Sequence, residues 1–134
     1  MLQPKNKLIL FMPSMEGGGV EKNLILIANY LIKKINCIYL ITFDKKFIKK
    51  FDNRIKIIIP KIKKKKNYSK YQKYFFCIIC LIKIIIEEKK ISIFSFQANI
   101  YCIIIAKIFN KKIVVRSNSS PSGWTKNILK SSIF

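Results

Sequence analysis

Apolar and polar positions fall along this chain in two kinds of block. Lys7 to Met12 (KLILFM), Cys37 to Phe43 (CIYLITF), Ile55 to Ile59 (IKIII), Ile91 to Phe96 (ISIFSF) and Lys112 to Val115 (KIVV) are short, near-continuous apolar runs. That is the pattern of strands buried on both faces. After the first run, Val20, Leu24, Ile27, Ala28 and Leu31 recur at helical spacing with Glu21, Lys22, Asn29 and Lys33 on the other side. They predict an amphipathic helix of about four turns, closed by Asn36. Tyr74 to Ile86 (YFFCIICLIKIII) is the most apolar stretch, interrupted by Lys83 and ended in solvent by Glu87-Glu88-Lys89-Lys90. It is too short for the roughly 20 residues a bilayer span requires, so it predicts a buried or interfacial helix. Tyr101 to Phe109 predicts a short apolar helix, and the polar stretch Lys45 to Asn53, with Phe47, Ile48 and Phe51 in it, a further short helical piece.

Strands alternating with helices predict an α/β fold, a Rossmann-like doubly wound parallel sheet of about five strands. At 134 residues the chain is one domain at most. With the strand order 3-2-1-4-5, strands one and four are neighbours at the point where the order reverses. Ligands of open α/β sheets sit there, outside the carboxyl ends of the strands. Three polar loops then converge on one edge: the turn after strand one, Gln97 to Asn99 after strand four, and Arg116 to Ser120 after strand five. Past these, Thr125 is positioned to cap a last helix. The chain stops at the apolar Ile133-Phe134, which reads as truncation.

The first of these loops holds three of the chain's four glycines, Gly17, Gly18 and Gly19, between a strand and a helix. Adjacent glycines permit positive φ and close backbone approach, and the N–H groups at a helix N-terminus attract phosphate. The Walker pattern is not present, because Gly17-Gly18-Gly19-Val20-Glu21-Lys22-Asn23 lacks its second glycine and Lys-[Ser/Thr]. The dinucleotide fingerprint also fails, with Lys22 where its third glycine belongs and only Asp44 to mark the end of strand two. A tight structural turn remains an alternative to an anion site. Glu21 in the first helical turn is accounted for by the helix dipole.

Charge adds less than its size suggests. The formal net charge is +21, yet the lysines are scattered and only Arg54 and Arg116 are arginines. Codon bias toward Ile and Lys gives the same composition as selection for a polyanionic partner. The connector Lys61 to Tyr74 interleaves cations with tyrosines. It suits single-stranded nucleic acid, an anionic bilayer or plain solvent. Cys37, Cys77, Cys80 and Cys102 lie in apolar runs, as reduced core thiols do, and Cys77-x-x-Cys80 lacks the second pair or histidine a metal site needs. Trp124, beside Gly123 and Pro121, is able to stack on a sugar but more commonly anchors a loop. No h-region of a signal peptide is visible, so a cytoplasmic protein is expected.

Three segments carry a resemblance: Met15-Glu16-Gly17-Gly18-Gly19-Val20-Glu21-Lys22, Ile93-Phe94-Ser95-Phe96-Gln97-Ala98-Asn99-Ile100 and Val115-Arg116-Ser117-Asn118-Ser119-Ser120-Pro121. In this order they resemble the amino-terminal, acceptor-side domain of retaining, family 4-type glycosyltransferases of the GT-B fold, over residues 1–134. The resemblance implies that Gly17, Gly18 and Gly19 face the diphosphate and sugar of a nucleotide-sugar donor. It likewise implies that Gln97, Asn99, Arg116 and Asn118 line the acceptor side. A glycan or lipid-linked acceptor and cell-surface polysaccharide or lipopolysaccharide synthesis follow from it, with no cofactor and no metal. Such an acceptor favours contact of Lys61, Lys63, Lys64, Lys65 and Lys66 with an anionic membrane over nucleic acid. Many relatives have a histidine after strand four, and this chain has none. The donor-holding carboxyl-terminal domain is absent, so the chain alone is expected to be inactive and no catalytic residue is assigned. The alternative is a basic α/β module that binds nucleic acid or anionic membrane without catalysis.

Overall fold

The computed structural model describes residues 6–63 and 67–117. Its elements are β1 (Lys7–Phe11), α1 (Gly19–Leu31), β2 (Cys37–Ile41), a single 3-10 turn at Ile48–Lys50, β3 (Lys56–Ile58), α2 (Lys70–Glu87), β4 (Ser92–Ser95), α3 (Asn99–Ile108) and β5 (Ile113–Val115). The five strands form one parallel sheet in the order β3-β2-β1-β4-β5. This is the order expected from the sequence.

Alternation along β1 divides the core in two. Ile9 and Phe11 point to one face, where they join Cys77, Leu81, Ile84 and Ile85 of α2 and Cys102, Ile105 and Ala106 of α3. Leu10 and Met12 point to the other, packing with Leu24 and Ala28 of α1 and with Phe51 and Ile55. Helices therefore cover both faces, and Ile9, Leu10 and Phe11 of β1 are fully buried whichever way they point. Truncating Leu24, which is fully buried on α1, to alanine costs about 2–5 kcal/mol.

Element boundaries differ from the sequence reading where local hydrogen bonds outweigh hydrophobicity. The second helix starts at Lys70, four residues before the apolar run, because Ser69 and Gln72 form a capping box: Gln72 N donates to Ser69 Oγ (3.3 Å) and Ser69 N to Gln72 Oε1 (2.9 Å). Lys70 and Lys73 thus belong to its first turn and not to the connector. The third helix starts at Asn99, earlier than Tyr101. The first ends at Leu31, with Asn36 lying beyond it in the following turns. The 45–53 stretch supplies only the 3-10 turn. Lys64, Lys65, Lys66, Asn118, Trp124 and the expected last helix lie outside the described residues.

Candidate functional site

The carboxyl ends of β1 and β4 are level and adjacent, with Phe11 opposite Ser95. The chain leaves β1 toward α1 on one face and reaches β4 from α2 on the other, so the order reverses between these two strands. The turn after β1 is held there by side chains from three separate segments. Ser14 N donates to Gln97 Oε1 (2.9 Å), Met15 N to Asp44 Oδ2 (2.8 Å) and Glu16 N to Glu21 Oε1 (2.8 Å). Three consecutive backbone amides are thereby captured by the loop after β4, the end of β2 and the first turn of α1. Asp44 is held in turn by Lys73 Nζ at 2.9 Å, linking the turn to α2.

Past this latch the chain is exposed from Glu16 to Gly19. Gly17 has φ +92°, and a Cβ there would stand 3.4 Å from the Phe47 ring. Its backbone needs glycine. Gly18 is extended and precedes α1, which begins without a side-chain cap; a Cβ on it would lie 3.3 Å from Glu21 Oε2. At Gly19 a Cβ would meet nothing within 4 Å. The fold therefore does not require glycine at position 19, and the space over the first turn of α1 stays open. Helix geometry leaves the first-turn amides without intrahelical acceptors, and they carry partial positive charge.

The facing side is built around Ser95, which is fully buried. Its Oγ lies 2.8 Å from both the Gln97 carbonyl and Asn99 Oδ1, so one proton serves two acceptors. Asn99 Nδ2 donates to the Arg116 carbonyl (2.8 Å), and Arg116 N to the Ser95 carbonyl (2.9 Å). Between Gln97 and Asn99, Ala98 adopts φ +53° at the N-cap of α3. A non-glycine residue in that region stores about 1–2 kcal/mol of strain. The Arg116 guanidinium stands over the Phe96 ring, 6.0 Å from its centroid. Its Nη1 is buried with no hydrogen-bond partner among the described residues.

The structure thus brings Gly17, Gly18, Gly19, Gln97, Asn99 and Arg116 to one edge of the sheet, with Asn118 outside the described residues. Gln97 Oε1 and both polar ends of the Asn99 amide are already engaged within the scaffold. Arg116 retains an unused donor. Two participants were not singled out from the sequence as holding this turn, Asp44 and Glu21. Glu21 stands three residues after the N-cap Gly18, the spacing of a capping-box glutamate, but reaches further back, to Glu16. It is buried, and its Oε2 has no partner among the described residues.

The remaining candidates stay structural. Cys77 and Cys102 are buried, and desolvation pushes both thiols up, Cys102 to about 11. Among the described residues no three His, Cys, Asp or Glu side chains gather as metal ligands. A cavity of about 840 Å³ opens at the opposite edge of the sheet, lined by Lys7, Glu88, Lys90 and Lys111. There Glu88 pairs with Lys7 and accepts from Tyr39 Oη (3.1 Å). The convergent loops lie elsewhere, at the carboxyl edge.

No protein-family model matches the chain, and no curated protein matches it. Solved structures do resemble it. A glycosyltransferase from Rickettsia africae aligns over 92% of this chain and 34% of its own length, with 20% identity and a TM-score of 0.57. HepE from Anabaena, solved with UDP and glucose, aligns over 96% of this chain and 34% of its own, with 15% identity and a TM-score of 0.59. A UGT transferase from Siraitia grosvenorii, solved with UDP, aligns over 86% and 28%, with 13% identity and a TM-score of 0.57. The chain has the Rossmann-like fold of a GT-B glycosyltransferase domain, and it spans about a third of the length of these proteins.

Proposed function

We propose that this chain is the acceptor-side domain of a retaining, family 4-type glycosyltransferase that takes a nucleotide-sugar donor. The observation that carries this reading is the exposed Gly17–Gly19 turn, latched at the switch point of a sheet whose fold recurs in UDP-bound proteins. In this reading the turn and the first-turn amides of α1 meet the donor diphosphate. Arg116 then meets a polar or anionic group of the acceptor, while Gln97 and Asn99 hold the walls in place. Transfer in such a cleft rests on positioning and electrostatic stabilisation of the leaving group, with no metal or cofactor. Most of the donor grip belongs to a second domain, so the chain alone is expected to turn over no donor. The proposed acceptor is a glycan or lipid-linked glycan of cell-surface polysaccharide or lipopolysaccharide synthesis at the cytoplasmic face of a membrane. Lys61 and Lys63 to Lys66 make an electrostatic contact with its anionic headgroups.

Titrating UDP into the isotope-labelled chain and following backbone amide resonances tests this. Shifts centred on Gly17 to Gly19, with a Kd on the order of 1 mM for half a site, are the expected result. Shifts confined to other loops, or none at several millimolar UDP or UDP-sugar, refute it. The charge of +21 favours one other reading, a basic nucleic-acid module. It predicts salt-sensitive RNA binding with shifts along Lys61 to Lys73 and none at the glycines.

A further inference from the structure

The chain holds six acids, all within the described residues, and three of them form ion pairs: Asp44 with Lys73, Asp52 with Arg54 and Glu88 with Lys7. Glu21 is committed to Glu16 N, Glu87 ends α2 at the far edge of the sheet, and Glu16 stands exposed in the glycine turn. Of the two arginines, Arg54 uses its fork, Nε donating to Asp52 Oδ1 (3.0 Å) and Nη2 to Oδ2 (2.9 Å). Arg116 offers the same fork, and among the described residues no carboxylate pairs with it. Its place is nevertheless fixed from within the chain. Arg116 N donates to the Ser95 carbonyl (2.9 Å), and the Arg116 carbonyl accepts from Asn99 Nδ2 (2.8 Å). The guanidinium lies over the Phe96 ring, and Phe96 N donates to the Phe11 carbonyl (2.9 Å) at the end of β1. The cation therefore stands at the crevice between β1 and β4, where ligands of open α/β sheets bind.

We infer that Arg116 selects an acceptor that carries an oxyanion, a carboxylate or a phosphate on the sugar, over a neutral glycan. The inference rests on the acceptor-side place proposed for Arg116 and narrows it from polar groups in general to anionic ones. Charge decides between them. The buried Nη1 has no partner among the described residues, and a buried donor left unpaired is costly. A water or a sugar hydroxyl would satisfy that donor but leave the guanidinium charge uncompensated. A carboxylate or phosphate does both, accepting two parallel N–H bonds in the plane of the fork. The Phe96 face restrains the guanidinium by attraction to the cation without neutralising it. Arg116 as a whole is half-buried, so an anion reaches a charge that is partly out of water, where pairing is stronger than on the open surface. Specificity follows from the same asymmetry: a neutral sugar in this place leaves the cation unpaired.

Because the chain has only two arginines, their side-chain Nε–H resonances read the inference directly in the isotope-labelled chain. Arg54, fixed on Asp52, serves as the internal reference. Glucuronate, glucose 6-phosphate and methyl glucoside are titrated in turn at a constant ionic strength of about 0.1 M. Saturable displacement of the Arg116 resonance by an anionic sugar is expected, at least about tenfold tighter than by methyl glucoside, with Arg54 unmoved. Whichever of the two anionic sugars binds tighter distinguishes a carboxylate from a phosphate. Arg116→Lys keeps the net charge but loses the fork, and should reduce the preference for the anionic sugar several-fold, read at the amides of Gln97 to Asn99. If that variant folds poorly, the wild-type titration decides alone. Equal affinity for methyl glucoside, no shift with any sugar, parallel movement of both arginine resonances, or an unaltered preference in Arg116→Lys overturns the inference. Displacement of the Arg116 resonance by UDP and not by the sugars overturns it as well, by moving Arg116 to the donor side. The glycine amides report UDP and Arg116 reports the sugars, so loss of the UDP-induced shifts at Gly17 to Gly19 and loss of the anionic preference are separate failures.

Discussion

Replacing Gly17 and Gly19 singly by alanine separates a glycine the backbone needs from one that only leaves room. At Gly17, φ is +92° and the new methyl would touch the Phe47 ring at 3.4 Å. An L-residue held there costs about 1–2 kcal/mol. At Gly19 the methyl meets nothing within 4 Å, and the backbone is already the first helical residue. Restricting the unfolded chain should then gain about 0.4–1 kcal/mol. For a chain of this size 1 kcal/mol moves Tm by roughly 3–4 °C. Gly17→Ala is therefore expected to lower Tm by about 3–8 °C and Gly19→Ala to raise it by about 1–4 °C, read by circular dichroism. If the open space over α1 is kept for a diphosphate, Gly19→Ala also weakens the UDP-induced amide shifts although it stabilises the fold. Equal loss of stability in both variants would refute the assignment. A Gly19→Ala protein with undiminished UDP shifts would refute the ligand's place.

Other consequences follow from single contacts. Asn99→Ala removes the bonds to Ser95 Oγ and to the Arg116 carbonyl. It should cost about 1–3 kcal/mol in urea unfolding and loosen the segment after β5, seen as faster amide exchange at Arg116. Hydrogen bonding to the Arg54 side chain holds the Asp52 carboxyl down at about 2, against an ordinary 3.8. Because the folded value is depressed, the stability contributed by Asp52 is fully present above pH about 4 and lost as pH falls toward 2. The difference in urea midpoint between wild type and Asp52→Asn should accordingly close over that interval, and a constant difference would refute the pairing. In the native state, thiol reagents at pH 8 should spare Cys77 and Cys102, whose thiols are buried and raised, and should reach all four cysteines in urea.

Hydrophobic patterning made the sheet legible because the central strands β1 and β2 are largely buried on both faces and read as near-continuous apolar runs, KLILF and CIYLI; IVV of β5 reads the same way although Val114 and Val115 are exposed. The strand order β3-β2-β1-β4-β5 is that of a doubly wound sheet, and the sequence carried it only by way of that fold class. The starts of α2 and α3 were not legible. The Ser69–Gln72 capping box was available in the sequence, yet the lysines and tyrosines around it dominate the reading of that stretch. Nothing local marks Ala98 as left-handed, because alanine enters that region only when its surroundings compel it. The roles of Gln97 and Asn99 were legible as places, at the edge where strand order reverses, but not as contacts. Both side chains bond partners distant in sequence, Ser14 and Arg116.

That difference matters most at the glycine turn. The sequence holds six acids, and two of them, Asp44 and Glu21, join Gln97 in taking the amides of Ser14, Met15 and Glu16. A turn fixed by three side-chain acceptors is ordered before any ligand arrives, so binding there does not have to supply the entropy of ordering it. The acceptors stop at Glu16, immediately before the exposed glycines. Carboxylates placed further along would face an incoming diphosphate and repel it; placed here, they satisfy backbone amides behind the turn. Glu21 sits in the first turn of α1, yet its carboxylate is buried and its Oε1 is committed to Glu16. The exposed residues that follow Glu16 are consequently three glycines, without side chains of their own. A glycine turn held from behind by the buried Glu21 and the half-buried Asp44 leaves Gly17 to Gly19 open to close approach by a ligand, and this accounts for the cluster of glycines in a way that a tight strand-to-helix turn alone does not, since only Gly17 is required by the backbone.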